Sequence, residues 1–335
     1  MAVNSTQTRT RTYTHPGQVS AAPLRPVPIA GGPIAGSRPN PSASAAEVVQ
    51  AYLKVQVAKL CSLEPEVRAD EFDSVHQMRV TTRRLRATLR SFGMVIPRPA
   101  TGKVAGELKW LGSLLGEARD GEVLPQHLLA SLEAVPVELL IGPVQARVQG
   151  HFAPLRASAR EVVIEALDSK RYAALLADLD QLAHDPPRGP QAGAPARDVL
   201  PAAVHKAYRQ AKRRMRRARQ APVGQARDVA LHEARKSARR ARYAAEAARP
   251  ASGKPARTFA RQMKKVHSVA GDHQDTVIAR QAARELGINA HLAGENAFTY
   301  GLLHEQEHDR AERLQARARR VWKKASRPRH RKWMS

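Results

Sequence analysis

A single cysteine, Cys61, stands in 335 residues, so the chain can close no disulfide within itself and can build no multi-cysteine metal site. Aromatic residues make up only 4% of it, too few to furnish stacking platforms along a single nucleic-acid strand. No apolar run approaches the roughly 18 residues of a membrane span, and the amino terminus lacks the charged-then-apolar order of a secretory signal. A cytoplasmic location is the default expectation. Nucleophile constellations, Walker-type loops and dinucleotide fingerprints are also missing, so neither catalysis nor a cofactor is expected. Acids are scarce: 30 Asp and Glu face 56 Lys and Arg, a formal charge of +26 and a pI near 11.2. Such a balance points to a polyanionic partner, whether nucleic acid, an anionic membrane surface or a polyphosphate. Hydrophobic residues still make up 42%, enough for a folded core.

Period-two alternation is absent, and the class read from the pattern is all-α, most economically two antiparallel bundles. Residues 1–44 carry seven of the chain's prolines and no acid, the composition of a disordered basic tail. A first helical block is expected over 45–184, with breaks at Pro65, Pro97 and Pro99, near Gly116, and at Pro136 and Pro154. A Pro/Gly-rich linker over 185–198 and a second block over 199–325 follow, the latter interrupted near Pro222, Pro255, Gly271 and Gly287. Residues 326–335 read as a basic tail.

The segment VHQMRVTTRRLRATLRSF (75–92) recurs, degraded, as LHEARKSARRARYAAEAA (231–248), and an offset of 156 superposes His76 on His232, Arg79 on Arg235, Arg83 on Arg239, Arg84 on Arg240 and Arg86 on Arg242. At about 100° per residue His76, Arg79, Arg83, Arg86 and Arg90 form one stripe, while Val75, Met78, Leu85, Leu89 and Phe92 form a separate apolar face. In the second copy Glu246 replaces Arg90, so part of its charge is compensated, and Ala234, Ala238, Ala241 and Ala245 line the packing face. Like charges at these spacings destabilise a helix by about 0.2–0.5 kcal/mol per pair. A merely solvated face would mix its signs. Two further stripes follow from the same wheel: His205, Arg209, Lys212 and Arg216, and Arg310, Arg313 and Arg317. Placed around one cleft, four such helices would hold many guanidinium groups together. Arginine's forked donors suit phosphate oxygens.

The duplication extends to GEARD (116–120) and GDHQD (271–275) at an offset of 155, with Lys109 falling on Lys264. Asp120 and Asp275 are either helix N-caps or carboxylates that orient arginines of a facing helix. Asp73 and Asp228 precede the two histidines as candidate N-caps. A helix N-terminus would keep His76 and His232 neutral, and bound phosphate would favour their protonation, so affinity should rise as pH falls from 8 to 6. The segment HEQEH (304–308) formally matches a zinc motif, but no glycine or third histidine continues it, and a metal site is not expected.

The patterns H-x-x-R-V-x-x-R-R-L-R and L-H-x-x-R-K-x-x-x-R-x-R-Y, with the paired glycine-to-aspartate segments, resemble the CHAD domain, a histidine-containing α-helical domain. The resemblance covers about residues 45–325. It implies two four-helix-type bundles related by a pseudo-twofold axis, binding of inorganic polyphosphate on the basic surface between them, and association with polyphosphate granules. It carries over His76, Arg79, Arg83 and Arg86 from the first copy, His232, Arg235, Lys236, Arg239, Arg240 and Arg242 from the second, and Lys109 and Lys264. Many relatives add a triphosphate-tunnel enzyme domain, which this sequence does not contain. The rival readings are an RNA- or DNA-binding basic protein, whose tails leave weak DNA binding open, and a phosphohydrolase with an unrecognised metal site. Protein partners are not legible.

Overall fold

The computed structural model describes residues 42–334, and residues 1–41 of the tail expected over 1–44 lie outside the described residues. Among the described residues there are nine α-helices and no extended strand: α1 (Ala45–Arg68), α2 (Ser74–Ser91), α3 (Arg98–Glu133), α4 (Val144–Asp168), α5 (Lys170–His184), α6 (Ala196–Gln220), α7 (Gln225–Ala247), α8 (Arg249–Leu292) and α9 (Phe298–Ala325). Each of α1 to α4 packs mainly on its chain neighbour, and α6 to α9 repeat that order, so α2 corresponds to α7 and α3 to α8. Helix α5 has no counterpart and closes against α1. The all-α, twofold-repeated architecture is thus the one expected.

The amphipathic reading of the arginine helices holds. Val75, Met78, Leu85, Leu89 and Phe92 are buried, and Ala234, Ala238, Ala241 and Ala245 are at most 1% exposed, letting α7 lie close to its neighbours. Fully burying a Leu or Met side chain stabilises by about 1.5–3 kcal/mol. One continuous core draws on all nine helices, and a smaller one joins the ends of α3 and α8 to the starts of α4 and α9. The halves therefore share their apolar interior.

Several expected breaks are absent. Helix α1 runs through Pro65, α4 through Pro154, and α3 through Gly116 and also Pro125. Helix α8 passes Gly271 and Gly287 unbroken, and its kink falls at Gly253, with φ 56°, two residues before Pro255. A mid-helix glycine costs only about 1 kcal/mol relative to alanine, which packing readily outweighs. The breaks at Pro97, Pro136 and Pro222 are present.

The linker is held down by its backbone: Ala45 N–H donates to Ala194 O, Ala196 N–H to Ala43 O, and Gly189 N–H to Val95 O. A Cβ at Gly189 would lie 2.5 Å from Met94 O, so only glycine fits there. The carboxyl-terminal segment is likewise folded. Trp333 meets Phe259 at 6.3 Å between ring centroids, and Met334 is buried.

A candidate polyanion site between two arginine helices

Helices α2 and α7 pack against each other with their cationic stripes on the same side, backed by the glycine faces of α3 and α8. A Cβ at Gly116 would lie 3.2 Å from Arg79 Nη2, and one at Gly271 would lie 3.4 Å from Arg235 Nη2. The two glycines thus admit two equivalent guanidinium groups side-on to a helix. Arg79 Nε and Arg235 Nε are both buried with no hydrogen-bond partner. Two pseudo-equivalent orphan donors in one place are a costly arrangement unless a ligand acceptor meets them.

The cations around them are half-buried where α2 and α7 meet, a region referred to below as the recess: His76, Arg79, Arg83, Arg84 and Arg86 from α2, and His232, Arg235, Arg239, Arg240 and Arg242 from α7. Burial, then Arg239 and Arg79, press the Arg83 guanidinium down to about 9. Burial also presses Arg239 down to about 10, with Arg235, Arg79 and Arg86 adding to it. Arg86 and Arg240 are lowered for the same reasons, burial first and neighbouring arginines after it. Among the described residues Arg83, Arg86, Arg90, Arg235, Arg239 and Arg240 pair with no carboxylate. Arg240 instead donates to Gln210 Oε1 of α6 at 2.7 Å.

Other cations are compensated. Glu246 takes Arg84 at 3.2 Å and Arg242 at 2.6 Å, and both guanidinium groups lie against the Tyr243 ring. Lys236 pairs with Glu233, and Arg79 stands 3.6 Å from Asp120. Asp120 and Asp275 sit well inside α3 and α8, which rules out the N-cap alternative for both. Burial raises the Asp275 carboxyl, and Arg235 opposes that rise.

Of the two expected caps, Asp73 holds the N-cap position of α2 without a side-chain capping bond, and Asp228 is not a cap. Asp73 precedes α2 in a left-handed conformation and bonds Gln77 rather than a backbone amide. Asp228 lies inside α7, buried, where it takes Arg280 at 3.0 Å and His273 at 3.3 Å. His76 and His232 are nonetheless lowered, because burial disfavours their charged forms. His232 Nδ1 hydrogen-bonds Gln274 Oε1 at 2.7 Å, while His76 faces Asp73 and Arg119.

Two of the four stripes point elsewhere. Arg209, Lys212 and Arg216 are exposed, and His205 stacks on Tyr208, because the side of α6 that meets α7 carries Gln210 and Arg214 instead. Arg310, Arg313 and Arg317 are exposed on α9, opposite buried Trp322 on the helix wheel, with Arg310 3.8 Å from Glu307. Lys109 and Lys264 are exposed two turns before Gly116 and Gly271, on the same helix faces. The zinc-like segment is committed otherwise: buried Glu307 accepts from Ser131 at 2.8 Å and bonds His127 at 2.9 Å, and His308 meets Arg280. Among the described residues no group of three His, Cys, Asp or Glu side chains is placed to hold a metal ion.

Sequence reasoning missed His267. It lies on α8 one turn before Gly271, and its charged form is disfavoured by burial first and then by the charges of Arg239, Arg235, Arg242 and Arg83. The spacing to Gly271 carried the only signal.

The molecule defined by this fold and site is an all-α protein with half-buried guanidinium groups gathered where duplicated helices meet. The model of the CHAD domain matches residues 51–284, and the chain belongs to that family. Two uncharacterized proteins of Mycobacterium tuberculosis, from strains CDC 1551 / Oshkosh and H37Rv, are each 36% identical over 293 residues, covering 85% of this chain. The match takes in 54% of each, so the chain spans about half the length of these curated relatives. Among solved structures, PptA from Streptomyces chartreusis superposes with a TM-score of 0.71 at 18% identity, covering 84% of this chain and 100% of that one. The CHAD domain from the plant Ricinus communis superposes at 0.62 and 24% identity, covering 88% and 97%. At these identities the likeness speaks for the fold.

Proposed function

We propose that this protein binds inorganic polyphosphate non-catalytically in the recess between α2 and α7 and is thereby held at polyphosphate granules. The observation that carries the reading is the pair of buried, unpartnered Nε groups of Arg79 and Arg235 beside the mutually repelling Arg83 and Arg239. A linear chain with one charge per phosphate relieves that repulsion and supplies the missing acceptors. Family membership supports the same ligand. We take residues 45–184 and 199–325 as the two bundles that present it, joined by residues 185–198. Binding releases counterions and so weakens steeply with salt.

Competition of labelled long-chain polyphosphate against duplex DNA at near-physiological salt tests the proposal. The unaltered chain should prefer polyphosphate, and the double variant Arg83→Glu, Arg239→Glu should lose it. Equal affinity of that variant removes the site. The exposed rows on α6 and α9 favour, as a second reading, a weaker and non-selective attraction for DNA, which would survive the same double variant. Phosphate release in the presence of Mg²⁺ or Mn²⁺ would reveal a phosphohydrolase instead.

A further inference from the structure

His267 breaks the symmetry of the recess. At the offset of 155 its place in the first half is taken by Gly112, where an added Cβ would meet nothing within 4 Å. One half thus leaves space where the other sets an imidazole. His267 Nε2 is buried and has no hydrogen-bond partner. On the face of α8 that carries Gly271 and meets Arg235, the charges acting most strongly on the ring are those of Arg235, Arg239 and Arg242 of α7 and Arg83 of α2. All of these are donors, so none of them can accept from an imidazole N–H.

Building on the polyphosphate reading, we propose that His267 donates a hydrogen bond from Nε2 to a non-bridging phosphate oxygen of the bound chain and sets where along the recess a phosphate comes to rest. It does so as an uncharged donor. Burial first, and the four arginines after it, hold the imidazolium down to about 2, so the ring adds a directional contact without adding a fifth like charge. The pH dependence of binding is assigned instead to His76 and His232, near the amino-terminal ends of α2 and α7.

Two side chains of similar length separate a donor from mere bulk: His267→Gln keeps an N–H, and His267→Met does not. Both are titrated with fluorescent long-chain polyphosphate at pH 6, 7 and 8, and folding is checked by thermal melting. Loss of one hydrogen bond to a charged acceptor should weaken the Met variant by about tenfold or more at every pH, with the Gln variant close to the unaltered chain. The slope of affinity against pH should be the same in all three. Equal affinities of the Gln and Met variants overturn the proposal, as does a slope that flattens in either variant. If the unaltered chain fails to bind polyphosphate at all, the reading of the recess falls, and that result comes before any variant is compared.

Discussion

Arg83 of α2 and Arg239 of α7 occupy the same place in the two copies of the repeat and press on each other across the recess with no carboxylate between them. That opposition is unfavourable in the ligand-free protein, and under the proposed function a bound polyanion would convert it to attraction. Site and stability therefore pull in opposite directions.

Replacing Arg83 by Met should stabilise the ligand-free protein by about 1–2 kcal/mol, because a poorly solvated cation is exchanged for an apolar side chain of similar reach. The same change should weaken polyphosphate binding at least tenfold. Chemical denaturation without ligand, and titration with it, give the two numbers. A variant that is both less stable and unimpaired in binding would contradict the arrangement.

Gly116 and Gly271 allow a cleaner separation. Alanine at either position gains about 1 kcal/mol of helix propensity, yet its Cβ at Gly116 would lie 3.2 Å from Arg79 and shift that guanidinium slightly, while at Gly271 it would touch Arg235 at 3.4 Å, closing the space beside it. Stability should hold or rise while affinity falls. The effect should be larger at Gly116, where the contact is tighter.

The histidines give a pH dependence whose sign can be worked out. His76, His232 and His267 all have folded values below the unfolded imidazole, each held down first by burial, with His267 at about 2. The folded state therefore binds fewer protons than the unfolded one. Stability of the ligand-free chain should decline as pH falls below about 6.5. Polyphosphate affinity should move the other way between pH 8 and 6, since bound phosphate favours the protonated forms of His76 and His232. Replacing both by Gln should flatten that affinity profile, which binding curves at three pH values would measure.

Glu307 of α9 belongs to the fold rather than the recess. Burial alone would raise its carboxyl, but the bonds from His127 and Ser131 of α3 bring it below the ordinary value. Its contribution is present above about pH 4.5 and is lost as pH falls through the lower folded value. Glu307→Ala should cost about 3 kcal/mol, leaving His127 without its carboxylate and Ser131 with only the His127 carbonyl to accept from it. Polyphosphate affinity of the folded variant should stay within about twofold, because Glu307 pairs directly with none of Arg79, Arg83, Arg235 or Arg239.

The arginine faces of α2 and α7 and the apolar faces opposite them were legible from order alone, because an α-helix fixes the angular position of every side chain from its number. For the same reason the repeat foretold that the two halves would present equivalent cations, and that Glu246 would compensate some of them. What order could not supply was which faces meet. The stripes on α6 and α9 are as regular as those on α2 and α7, yet Arg209, Arg216, Arg313 and Arg317 end at solvent, because the sides of those helices turned inward carry other residues. Pairing of Asp228 with Arg280 and of Glu307 with His127, across 52 and 180 residues, and the setting of His267 among four arginines, arise only once distant helices are packed. A single helix determines its own faces, whereas electrostatic fate depends on the neighbour each face is given.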